Sequence, residues 1–137
     1  MVRIGIIGAG RIGKVHCESI GRYVKNAVVA CVADPFMDEG TEQTLRALGA
    51  EKVTKDYREI LADKSVDAVL ICSSTDTHAQ ISVEAIKAGK HVFCEKPVDH
   101  DVKKILTVKE ALQGGGVKYQ VGFNRRFDHN FEAVKKA

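Results

Sequence analysis

Four stretches of this chain carry residue types that could do chemistry together. The first is Gly8-Ala9-Gly10-Arg11-Ile12-Gly13, a G-x-G-x-x-G string. Glycines at this spacing suit a pyrophosphate. Gly8 allows a sharp turn, Gly10 leaves no Cβ in the way of a phosphate, and Gly13 allows a helix to pack closely against a sheet. Arg11 can pair with a phosphate, and Ile12 completes the loop. Asp34, 21 residues past Gly13, could accept both hydroxyls of an adenosine ribose. Its charge would repel a 2′-phosphate, which favours NAD over NADP. Helix capping is the other role open to an aspartate there. If Arg11 reaches the adenosine end, some NADP binding becomes possible.

The second stretch is Ser73-Ser74-Thr75-Asp76-Thr77-His78. Its hydroxyls could line the ribose of a nicotinamide, or cap a helix. Ser73 and Ser74 are the residues assigned to the cofactor. His78 reads as a helix-face residue rather than a base, and joins the cofactor set by position. The third stretch is Glu95-Lys96-Pro97. A lysine there could hydrogen-bond a substrate hydroxyl and stabilise the alkoxide that forms as hydride leaves. Pro97 restricts the backbone beside it. The plain alternative is a surface lysine in a loop. The fourth is Gly122-Phe123-Asn124-Arg125-Arg126-Phe127. Asn124 and Arg125 could meet a polyhydroxylated substrate or the nicotinamide, with Asn124 assigned to the cofactor and Arg125 to the substrate. Arg126 reads as structural, and a salt-bridged exit loop is the plain alternative.

These stretches need elements to place them. Val2–Ile7 is an apolar run ahead of the glycines, and a helical pattern covers Arg11 to about Arg22. Ala27–Ala33 is continuously apolar, as for a parallel strand buried on both faces. A helix then runs to about Leu48 and ends at Gly49. Lys52–Thr54 is a short edge strand, and Asp56 to about Ala62 a helical turn or two. Asp67–Cys72 is another buried strand. Ser73–Thr77 reads as a polar loop ahead of a helix to about Ala88. His91–Cys94 is the next strand. Asp99 or Asp101 caps a helix that presents Val102, Ile105, Leu106 and Leu112 on one face, and Gly114-Gly115-Gly116 stops it. Val117–Phe123 is the last strand, and the chain is helical again from Asp128. Strands alternating with crossover helices imply an α/β fold with a doubly wound parallel sheet. Six strands fit the Rossmann order 3-2-1-4-5-6, and all four stretches then lie at carboxyl ends of strands, where such sheets bind ligands.

Composition sets limits. At 137 residues, one domain with a proper core is expected. Apolar residues make up 45% and charged residues 28%, ordinary for a globular protein. A net charge of +3, with acids among the bases, does not point to nucleic acid. No apolar stretch is long enough to span a bilayer, and no secretory signal is expected, because the first apolar run is short and goes straight into glycines. Cys17, Cys31, Cys72 and Cys94 form no C-x-x-C pair and read as buried reduced thiols of a cytoplasmic protein. Neither they nor the histidines have metal-ligand spacing, so no metal is expected.

Taken together, the glycine loop, Val92–Pro97 (VFCEKP) and Val121–Phe127 (VGFNRRF) resemble the glucose–fructose oxidoreductase/inositol dehydrogenase (Gfo/Idh/MocA) family, and within it the inositol 2-dehydrogenases. The resemblance covers essentially the whole chain. It implies an NAD(P)-binding Rossmann domain over residues 1–127. Residues 128–137 would begin the helix leading to a C-terminal substrate domain, which this chain stops short of. Lys96 matches the family's catalytic lysine and Asp34 its adenosine-ribose acid, and Glu95 and Pro97 fall beside the cofactor. Many relatives have Thr-Pro-Asn where this chain has Ser73-Ser74-Thr75, so contacts there carry over less directly. The implied activity is oxidation of a secondary hydroxyl of a cyclic polyol, myo-inositol first or another sugar of the same family. Without the second domain, turnover is expected to be negligible. A non-catalytic NAD(H)-binding sensor is the other class of function, and it would have no chemical need of Lys96. A homo-oligomer is expected, because apolar surface near the last strand and final helix would otherwise be exposed.

Overall fold

The structure is a computed structural model that describes residues 1–137. Its six strands are β1 (Val2–Ile7), β2 (Ala27–Ala33), β3 (Val53–Thr54), β4 (Ala68–Ile71), β5 (His91–Glu95) and β6 (Tyr119–Gly122). They form one sheet in the order β3-β2-β1-β4-β5-β6. Every pairing is parallel, as the alternation of apolar runs and helical patterns predicts. The crossovers are α1 (Arg11–Tyr23), α2 (Glu39–Ala47), α3 (Tyr57–Ala62), α4 (Thr75–Lys87) and α5 (Val102–Leu112). A 3-10 turn (Asn124–Phe127) and α6 (His129–Lys136) come after β6.

The continuous apolar strands serve two cores at once, because successive side chains point to opposite faces, except at Ala30, where a register shift between β1 and β2 puts Ala30 and Cys31 in the same core. Ile6, Val29 and Val32 meet Cys17, Ile20 and Leu45 of α1 and α2 on one side. Ile7, Ala30, Cys31, Val69 and Ile71 meet Ile60, Ala79, Ala85 and Val108 of α3, α4 and α5 on the other. Local chemistry sets the helix ends. Asp38 accepts a hydrogen bond from Thr41 N–H at 2.7 Å, Asp56 one from Arg58 N–H at 2.9 Å, and Asp101 one from Lys103 N–H at 2.8 Å. These aspartates satisfy donors that a first helical turn leaves unpaired.

Three expectations shift. α4 starts at Thr75, so the Ser73–Thr77 loop is two residues of loop and then helix. β6 is shorter than Val117–Phe123, and the chain coils into the 3-10 turn straight after Gly122 and Phe123. On α5 the expected apolar face is turned. Val102 is 67% exposed and Leu106 48% exposed, while Val108 is the buried residue. Helical spacing identifies apolar positions, but packing against α4 decides which of them are covered.

Candidate functional site

The sheet register builds the site. Ile7 of β1 lies beside Ala33 of β2 and Ile71 of β4. Ile71 lies beside Cys94 of β5, and Cys94 beside Val121 of β6. The segments leaving these strand ends therefore emerge on one edge. They begin at Gly8, Asp34, Cys72, Lys96 and Phe123. β1 and β4 are neighbours whose succeeding helices, α1 and α4, cover opposite faces of the sheet. This is the switch point at which such sheets open a crevice.

The glycine loop is shaped by close approach. Gly8 has φ +105°, and its N–H donates to the Ala33 carbonyl at 2.8 Å. A Cβ on Gly8 would lie 2.6 Å from the Cys72 carbonyl and Ser73 N. A Cβ on Gly13 would run into the Gly8 carbonyl oxygen. Both positions therefore need glycine for the fold. Gly10 differs, because a Cβ there would meet nothing within 4 Å. It is exposed and lines a cleft of about 590 Å³. Gly10 also has no side chain to cap α1, whose first hydrogen bond runs from Lys14 N–H to the Gly10 carbonyl at 3.0 Å. The first-turn N–H groups have no partner within the helix. With the positive end of the helix dipole they make an anion site facing open space. A pyrophosphate fits these residues.

Asp34 stands at the end of β2 on the wall of that cleft. Its Oδ2 accepts from Ala9 N–H at 2.7 Å and its Oδ1 from Phe36 N–H at 2.9 Å. It does not cap α2, because Asp38 has that role. The acid and the glycine loop are thus one hydrogen-bonded unit. Ser73 and Ser74 line the same cleft. Thr77 Oγ1 donates to the Ser74 carbonyl at 2.7 Å, so the Ser73 hydroxyl, 2.7 Å away, donates to Thr77 Oγ1. Ser74 holds the N-cap position of α4 without a side-chain cap bond. Beside them, burial pushes the Cys72 thiol up to about 12, which excludes it as a nucleophile at neutral pH.

The remaining sequence-predicted residues lie outside this cleft. Arg11 is exposed, and Ile12 packs partly against the core beside it. Glu95 is engaged from α1, with its Oε1 2.8 Å from His16 Nε2. Lys96 and Pro97 are exposed just past β5 and joined by a cis peptide bond. Asn124 and Arg125 are exposed in the 3-10 turn, and the Arg125 guanidinium lies over the Phe131 ring at 4.9 Å. His78 is 2% exposed, with Nε2 2.9 Å from the Ser73 carbonyl oxygen and Nδ1 2.9 Å from that of Pro97. It faces inward, and neither ring nitrogen is free for a ligand.

Sequence reasoning missed part of the cleft wall. Phe36, Tyr57 and Arg58 line it. Tyr57 donates to Glu84 Oε2 at 2.8 Å, and the Arg58 guanidinium lies 4.9 Å from the Tyr57 ring centre. The available signal was position: both come after β3 on the edge used by the other strands. All four cysteines are free and buried. No group of three or more His, Cys, Asp or Glu is placed to hold a metal ion. No helix is long and apolar enough to cross a membrane.

Known proteins share this fold. A family profile described as an oxidoreductase family with an NAD-binding Rossmann fold matches residues 2–123. The chain is 42% identical over 136 residues to the myo-inositol 2-dehydrogenase of Thermotoga maritima, covering 99% of this chain and 40% of that protein. It is 45% identical over 136 residues to an inositol 2-dehydrogenase of Rhizobium meliloti, with 99% and 40% covered. Among solved structures, the scyllo-inositol dehydrogenase of Lactobacillus casei, with bound NAD(H) and scyllo-inositol, superposes with a TM-score of 0.90 at 33% identity. That match covers 99% of this chain and 40% of the other. The chain thus spans about 40% of the length of the relatives it matches.

Proposed function

Because the chain belongs to the oxidoreductase family with an NAD-binding Rossmann fold, we propose that it is the NAD-binding part of a dehydrogenase acting on a secondary hydroxyl of a cyclic polyol, with myo-inositol or a close isomer as substrate. In this reading residues 1–127 form the dinucleotide domain, and residues 128–137 begin the connection to a substrate domain. The observation that carries the reading is the unit made by Gly8, Gly10, Gly13 and Asp34. It offers an anion site at the start of α1 and a carboxylate beside it, on one wall of the cleft.

The residues then divide the work. Gly10 and the first turn of α1, with Arg11 and Ile12 beside them, take the pyrophosphate. Asp34 accepts the adenosine ribose hydroxyls and disfavours a 2′-phosphate, so NAD is preferred to NADP. Ser73 and Ser74 lie on the nicotinamide side, with Glu95, Lys96, Pro97 and Asn124 next along the edge. His78 supports them from behind. NAD supplies the hydride acceptor. Lys96 Nζ would hydrogen-bond the substrate hydroxyl and stabilise the oxyanion as its proton leaves. Arg125 would meet a neighbouring hydroxyl. Hydride transfer needs a substrate held close and aligned, and Lys96 is exposed here. The 137 residues by themselves are therefore expected to bind NAD while reducing it negligibly with inositol. Association of copies through the exposed Phe127, Phe131 and Val134 is part of the same reading.

Calorimetric titration tests it. NAD should bind, NADP should bind at least tenfold more weakly, and Asp34→Ala should lose most of the NAD affinity. NADP binding equal to NAD would overturn the role of Asp34, and no binding of either would overturn the cofactor reading.

A further inference from the structure

His78 is not used by the chemistry above, yet its setting is unusual. It is buried on α4, and its two ring nitrogens each lie 2.9 Å from a backbone carbonyl oxygen. One oxygen belongs to Ser73, two residues past β4, and the other to Pro97, one residue past Lys96. A carbonyl oxygen only accepts. A neutral imidazole has one N–H and one bare lone pair, whereas the cation has two N–H groups. With the neutral ring, one nitrogen lone pair would face a carbonyl lone pair at 2.9 Å on a side chain that is 2% exposed. That arrangement is costly. With the cation, both contacts are charge-assisted hydrogen bonds.

We propose that His78 is carried as an imidazolium that clamps the Ser73 and Pro97 carbonyls, so that one side chain of α4 fixes the spacing of the two loops flanking the nicotinamide end of the crevice. His78 is a positioning residue in this scheme and touches neither cofactor nor substrate. Its effect on a dinucleotide rests on the function proposed above, but the clamp itself does not.

The surroundings agree. Facing His78 are the Cys94 sulfur from β5 and, next to Cys94, the Tyr119 hydroxyl from β6, which is 3.0 Å from Ser82 Oγ on α4. Just past β4 stands Cys72. None of these is a carboxylate. Burial alone would push His78 down, but the nearby Cys94 sulfur and the Pro97 and Ser73 carbonyls outweigh it and raise the ring to about 9. Burial keeps Cys72 and Tyr119 protonated well beyond that point.

Nitrogen-15 NMR of the whole chain tests the clamp. The five histidines are followed from pH 6 to pH 10, with His78 assigned by its loss in His78→Gln. At pH 8, both His78 nitrogens should carry protons. The amides of Ser74 and Val98, which share peptide groups with the two carbonyls, should shift together as His78 deprotonates. In His78→Gln that joint shift should vanish. A single protonated nitrogen on His78 at pH 8, or amides that ignore its titration, would overturn the proposal. NADH fluorescence titrations on the same samples separate the two readings. Affinity should fall at least threefold between pH 7 and pH 9.5 in the native chain and show no such fall in the variant. Detectable affinity that stays constant with pH in the native chain would overturn the positioning role. Absence of NADH binding at every pH would sink the cofactor reading, while the NMR result would still decide the clamp.

Discussion

At the residue scale, the glycines of the loop are not equivalent. Gly13 is there because a Cβ would strike the Gly8 carbonyl, and Gly10 because open space lies beside it. Gly13→Ala should therefore destabilise the fold by about 1–3 kcal/mol, read as a lower urea midpoint. Gly10→Ala should leave the midpoint within about 0.5 kcal/mol and weaken NAD, read by calorimetry. Equal midpoints for the two variants would refute the distinction. Asp34 is a second case. Because its Oδ2 already holds Ala9 N–H, removing it loosens the phosphate loop as well as the ribose contact. Asp34→Ser should thus lose NAD affinity without a matching gain for NADP.

At the element scale, two leucines on helices separate spacing from packing. Leu45 of α2 is fully buried, whereas Leu106 of α5 is 48% exposed. Leu45→Ala should cost about 2–5 kcal/mol, and Leu106→Ala about 1 kcal/mol or less, both from urea unfolding. Periodicity alone ranked Leu106 with the core. The order of elements was legible because each apolar run has the length and continuity of a doubly buried strand. The starts of α4 and of the 3-10 turn were less so. Ser and Thr serve equally well before a helix and in its first turn, and the tight turn at Asn124 has no helical period to announce it.

At the scale of the whole molecule, His78 links site and stability. Its folded value, about 9, lies above the usual 6.5. The stability it contributes is fully present below about pH 6.5 and is lost as pH rises through about 9. Buried Cys17, Cys31 and Cys72 are raised by desolvation. They favour unfolding only above their ordinary value of 9.0. The urea midpoint should therefore decline between pH 6.5 and pH 8.5 in the native chain and stay level in His78→Gln. A level native profile over that range would refute the linkage. A second prediction concerns the last elements. Phe127 is 70% exposed, Phe131 50% and Val134 76%. Sedimentation should show concentration-dependent association that Phe131→Glu weakens.

Residue order was enough to set the strand order, the edge on which the glycine loop, Asp34, Lys96 and Asn124 gather, and the family. Those come from the alternation of apolar runs with helices and from glycines at fixed spacing, which are properties of succession along the chain. Residue order did not reveal that Asp34 bonds to Ala9, that Glu95 is held by His16, that Tyr57 and Arg58 join the cleft wall, or that His78 bridges Ser73 and Pro97. Each of these joins residues far apart in sequence, or depends on which of several donors a fixed acceptor meets. Strand register and helix packing set such pairings, and both exist only in the folded molecule.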